Sequence, residues 1–80
     1  MRRQKLDPQD NEISRYYIWL NKDRTNLLGI VVHYTYTSQG RVYRFWRAIV
    51  PGPMNMTKDY IQTMREAISL LRAVQCIEEE

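Results

Sequence analysis

The chain changes its hydrophobic period once, and that change limits the folds open to it. Up to Val50 apolar residues recur at every second position, in three runs: "ISRYYIWLN" at 13–21, "LLGIVVHYTYT" at 27–37 and "RVYRFWRAIV" at 41–50. After "PGP" at 51–53, Ile61, Met64, Ala67, Ile68, Leu71 and Val74 follow a 3.6-residue period. Period two builds strands with one face to the core, and period 3.6 builds an amphipathic helix. The order therefore predicts an α+β domain: a three-stranded antiparallel β-meander packed on one C-terminal α-helix, β-β-β-α in two layers. Thr57 reads as the helix N-cap, Asp59 favours the first turn, and the helix runs to about Ile77. Residues 1–11 read as a flexible basic arm ahead of a single domain at 12–80.

One helix covers only one side of a meander, so the other side is exposed or bound to something. Eighty residues bury only about 60% of their unfolded surface, a thin margin. The usual staples are missing. Cys76 is the single cysteine and closes no intramolecular bridge. One Cys and one His do not make a zinc cage, so neither metal nor cofactor is expected. No apolar run reaches the length of a membrane span, and "MRRQKLDPQD" has no apolar segment behind it, unlike a signal peptide. With a lone thiol, this suggests a cytoplasmic protein.

The charge is uneven. Residues 1–57 hold nine Lys or Arg against four Asp or Glu, and residues 58–80 hold three against five. A basic sheet region beside an acidic helix makes an anionic partner plausible.

Gly40 sets the expected register. A three-residue loop with Gly40 left-handed pairs Thr37 with Arg41 and Val32 with Trp46. It sends Leu28, Ile30, Val32, Tyr34, Tyr36, Val42, Trp46, Ala48 and Val50 to the helix, with Tyr16, Ile18 and Leu20. The open face then carries Arg15, Tyr17, Trp19, Val31, His33, Thr35, Arg41, Tyr43, Phe45 and Arg47. A two-residue turn shifts the pairing by one and changes the faces. On the helix, Tyr60, Leu70 and Ile77 widen the apolar arc to about 200°, where one sheet needs about 100°. Either a homodimer through Leu70 and Ile77 or the N-terminal arm covers the surplus.

No residue pattern indicates catalysis. His33 has no carboxylate or nucleophile tied to it by a known spacing, and a lone strand histidine is ordinarily a polar surface residue. Cys76 reads as a packing residue, and the three glycines form no phosphate loop. The strongest lead is the open face. Its arginines suit phosphate and its aromatic rings suit bases, with Arg2, Arg3 and Lys5 of the arm adding charge. The same residue types are enriched at protein interfaces.

This layout, with "MRRQK" as a basic arm and "LGIVVHYTYTSQGRVYRFW" as the second hairpin, resembles the N-terminal DNA-binding domains of tyrosine recombinases and the AP2 domains of plants. The resemblance is of topology over most of the chain, and no diagnostic motif carries it. It implies a sheet face laid into the major groove. The expected function is a small non-enzymatic module binding nucleic acid, most simply DNA. The alternative is a phage- or virus-type interaction or inhibitor protein using the same face on a protein partner.

Overall fold

The computed structural model describes residues 2–20, 26–51 and 56–74. It is an α+β fold with one antiparallel sheet and one helix near the C-terminus. The strands are β1 (Arg2–Leu6), β2 (Glu12–Trp19), β3 (Leu27–Ser38), β4 (Arg41–Val50) and β5 (Met56–Ile61), followed by α1 (Met64–Val74). They lie in the order β1-β2-β3-β4-β5, so the apolar β3 is central, as its composition suggests.

The sheet has five strands, not three. The expected flexible arm is a strand: Arg2–Leu6 pairs along β2 from Arg2↔Trp19 to Leu6↔Arg15. "RRQKL" has no β-branched residue, and charged side chains suit an edge strand that must not recruit another chain. The expected first helical turn is also a strand. Thr57 caps nothing; it lies in β5 opposite Ile49. The helix begins seven residues later, where the Thr63 hydroxyl accepts the Glu66 N–H at 3.2 Å. "TMRE" is the S/T-x-x-E signature of a capping box. Ile77 lies outside the described residues.

The β3–β4 turn corrects the register. Gln39 (φ 52°) and Gly40 (φ 77°) are both left-handed, as a type I′ two-residue turn requires. Ser38 therefore pairs with Arg41, Tyr34 with Phe45 and His33 with Trp46. The one-residue shift leaves β4 as expected and turns β3 over. Val31 now belongs to the helix side with Ile18, Leu28, Ala48, Val50, Ile61, Ala67 and Leu71. Ile30, Val32, Tyr34 and Tyr36 belong to the other side. Val42, expected in the core, is 65% exposed.

Gly29 fixes where the helix sits. A Cβ there would lie 2.6 Å from Leu71 Cδ2 and 2.7 Å from the Ile49 carbonyl oxygen. Only a glycine lets α1 approach β3 so closely. Tyr60 and Ile61 belong to β5, so the helix loses two members of the wide arc read from sequence. Leu70 lines an apolar cavity of about 110 Å³ with Ala48, Val50, Met56 and Val74.

The β3–β4 hairpin outruns its neighbours. Pairing of β2 with β3 ends at Glu12↔Tyr34, and pairing of β4 with β5 ends at Trp46↔Ile61. Beyond Thr35, whose N–H still donates to the Asn11 carbonyl at 2.9 Å, β3 and β4 pair only with each other, up to Ser38↔Arg41. A two-stranded ribbon therefore projects from the sheet, and the molecule is 44 Å long but only 24 by 23 Å across.

Candidate nucleic-acid interface

The face away from the helix collects seven expected residues: Arg15, Tyr17 and Trp19 from β2, and Arg41, Tyr43, Phe45 and Arg47 from β4. Arg2 joins them opposite Trp19. Arg3 and Lys5 do not, because they pair with Ile18 and Tyr16 on the helix side, where Arg3 reaches Met64 Sδ at 3.4 Å. His33 is also on the helix side, stacked on Trp46.

Residues not assigned to this face from sequence fill its middle. Val32 lies between Arg15 and Arg47 and is fully buried although no helix covers it. Arginine stems cover such a residue while their heads stay at the surface. Tyr34 lies under the Arg47 guanidinium, 4.7 Å from ring centroid to Cζ. Its hydroxyl accepts the Tyr60 N–H at 3.2 Å. Tyr60 itself is left-handed at φ 62°, at a β5 irregularity that turns its ring onto Phe45 and Tyr36. Tyr43 stacks on Phe45 with centroids 6.2 Å apart. The result is an aromatic patch at the ribbon's root, in which Tyr36, Tyr43 and Tyr60 are 43%, 40% and 60% exposed.

The central arginines are already partnered. Arg15 donates to Glu12 Oε2 at 2.9 Å, and Arg47 Nε donates to Asp59. The hydrogen bond that Arg47 donates to Asp59 is the main reason that its pKa is raised further. The ribbon is different. From Thr35 to Phe45 it carries Arg41 and Arg44 and no acid, and neither arginine forms an ion pair with a described residue. Gln39, Thr37 and Ser38 add hydrogen-bonding groups at its tip.

The sequence held two signals for these missed members. Gly29 marks the side of β3 that the helix approaches, which puts Tyr34 and Tyr36 on the other side. "QG" between alternating runs is compatible with a two-residue turn. Nothing local announces Glu12 and Asp59 as arginine partners, since both contacts depend on strand pairing.

Comparison with known protein families, with curated proteins and with solved structures finds no match to this chain.

Proposed function

We propose that the protein is a DNA-binding module that places its β3–β4 ribbon in the major groove, with the aromatic patch and the open face behind it against the backbone. The observation that carries this reading is the ribbon itself: two basic strands, paired only with each other beyond Thr35 and tipped with Gln39, Gly40 and Arg41. The major groove is about 12 Å wide and admits a two-stranded β-ribbon, and Arg and Gln read guanine and adenine there. Arg44 is exposed on the opposite ribbon face from Arg41, so the two can reach opposite walls of the groove.

Fluorescence anisotropy on a labelled duplex of about two helical turns, against its single strand, tests the reading. Arg41→Ala and Arg44→Ala should each weaken duplex binding. Each should also flatten the log–log salt dependence by about 0.9 if it removes one phosphate contact. A wild-type protein that leaves the duplex free at ~100 μM and low salt would refute the reading.

A protein partner is the second reading, and the ion pairs on the open face favour it. Arg15 and Arg47 spend their charge on Glu12 and Asp59, so the middle of that face offers rings more than cations. Tyr, Trp and Arg in such a patch are the residue types of interface hot spots. Tyr43→Ala and Tyr60→Ala would then abolish partner capture while the double ribbon variant Arg41→Ala/Arg44→Ala leaves it intact.

A further inference from the structure

Two residues of β5 stand opposite one of β4. Ile61 pairs with Trp46 and Lys58 with Ala48, so Asp59 and Tyr60 share the space across from Arg47. A bulge of this kind re-aims a side chain. Here it brings both residues to the open face. Asp59 accepts the Arg47 Nε–H, and the Tyr60 ring stands nearly perpendicular to Phe45 and Tyr36, with centroids 5.3 and 6.1 Å away. The Tyr60 backbone is left-handed at φ 62°, a conformation that bulky residues avoid. Its N–H donates not to β4 but to the hydroxyl of Tyr34, at 3.2 Å. Tyr34 is itself covered, at 7% exposure. A strained residue persists only where its surroundings hold it, and such residues gather at ligand contacts. Core packing does not account for this one, because the ring that the strain positions is 60% exposed.

The height of this ring along the ribbon suggests what it touches. The major groove is about 8.5 Å deep, and a strand rises about 3.4 Å per residue. A ribbon whose tip meets the groove floor is therefore inside the groove for about two to three residue pairs. Counted from Ser38↔Arg41, that depth ends at Tyr36↔Tyr43. The rim of the groove, where the phosphates lie, falls at these two tyrosines and at Tyr60 against Tyr36. A tyrosine hydroxyl donates to a phosphate oxygen without adding charge.

We infer that Tyr60 contacts a phosphate at the groove rim through its hydroxyl, and that Tyr34 is the positioning residue that holds it in its strained conformation. The inference rests on the groove reading and adds to it a contact that carries no charge. The backbone is strained here to present a hydroxyl, not to fill the core.

Duplex anisotropy and thermal melting on the same variants test it. Tyr60→Phe should weaken duplex binding by about tenfold or more, the loss expected for one hydrogen bond to a charged group. The log–log salt slope should stay unchanged, because no charge is removed. Tyr60→Ala and Tyr60→Gly should lose at least as much affinity. The glycine variant should melt above the alanine variant, because glycine takes a left-handed backbone without strain. Tyr34→Phe should weaken binding in the wild-type chain and have no further effect in the Tyr60→Ala background. Wild-type affinity in Tyr60→Phe, with Arg41→Ala and Arg44→Ala still weakening the duplex, would overturn this inference and leave the groove reading standing. So would an alanine variant that melts at or above the glycine variant, or a Tyr34→Phe loss that is equal in both backgrounds. A wild-type protein that leaves the duplex free would overturn both readings together.

Discussion

Gly29→Ala tests the seating of the helix, and with it which face of the sheet is open. The new methyl group would meet Leu71 Cδ2 at 2.6 Å, Leu71 Cδ1 at 3.0 Å and the Ile49 carbonyl oxygen at 2.7 Å. Ordinary contact needs about 3.5 Å or more. Leu71 has no solvent to retreat into, being fully buried, and the Ile49 oxygen is backbone in a strand paired with β3. Relief requires α1 to rise from the sheet or β4 to shift along it. Overpacking of this kind costs about 1–3 kcal/mol. The loss of glycine freedom in the unfolded chain returns about 0.4–1 kcal/mol, so the net loss is about 0–2.6 kcal/mol, centred near 1.3. With an unfolding entropy of about 2.1 cal/mol/K per residue, each kcal/mol lowers the melting temperature of this chain by about 6 °C. Thermal denaturation followed by circular dichroism should show a fall centred near about 8 °C and no larger than about 15 °C. Leu71→Ala costs about 2–5 kcal/mol alone, but it removes two of the three clashes. Gly29→Ala should therefore cost at least about 0.5 kcal/mol less in the Leu71→Ala background. An unchanged or higher melting temperature in Gly29→Ala, or strict additivity in the double variant, would mean that α1 does not lie over Gly29.

Phe45 and Trp46 should separate the faces. Trp46 packs against the core and Phe45 does not, so Trp46→Ala should lower the urea midpoint more than Phe45→Ala; the reverse order would contradict the face assignment. Asp59→Asn frees Arg47 from its ion pair, whose two side chains are 35% and 38% exposed. An exposed pair is worth about 0–1 kcal/mol, so stability should hardly change. Duplex affinity should rise by up to about fivefold, more than for Glu66→Gln on the helix, and a fall would show that Asp59 positions Arg47 for the ligand. His33, the single histidine, should titrate below its ordinary 6.5 by NMR. Because the folded pKa is depressed, this group's stability contribution is present above the unfolded pKa and is lost as pH falls through the folded one. The fall in melting temperature on acidification through that range should be smaller in His33→Asn, and an equal fall would assign the effect to other groups.

Strong patterns were legible in the sequence and weak ones were not. The runs that became β2, β3 and β4 alternate with β-branched and aromatic residues, and they form strands in the expected order with β3 central. β1 and β5 have no such pattern. "RRQKL" and "MTKDYI" are strands because a neighbouring strand offers them hydrogen bonds, a tertiary cause that local propensity does not record. Thr57 and Asp59 resembled a helix start because capping chemistry is short and common, and the working cap at Thr63 has the same chemistry plus Glu66 at the matching position. The faces of β4 read correctly because Trp46, Ala48 and Val50 all pack on the helix side. β3 is apolar on both sides, so its pattern alone does not choose between them. A single left-handed residue, Gln39, decides the register, and glutamine gives little warning of that conformation.

The body of the sheet and its projecting ribbon differ in how their cations are held, and this difference places the binding chemistry. In the body of the sheet the carboxylates of Glu12 and Asp59 answer Arg15 and Arg47, which flank the buried Val32 on its two neighbouring strands. Arginine stems pack over such a residue while their heads stay at the surface, so these two arginines serve the packing of the open face. A ligand that recruited them would have to displace a carboxylate and loosen that packing. Arg41 and Arg44 carry no such duty, since the ribbon is held by its own ladder of paired strands from Thr35↔Arg44 to Ser38↔Arg41. Their charge is available without a structural cost. Substituting them should therefore move binding and leave the melting temperature in place, whereas Arg15→Ala or Arg47→Ala should lower stability along with any effect on binding. Equal loss of stability at all four positions would mean that the ribbon is part of the fold's packing and not a free projection from it.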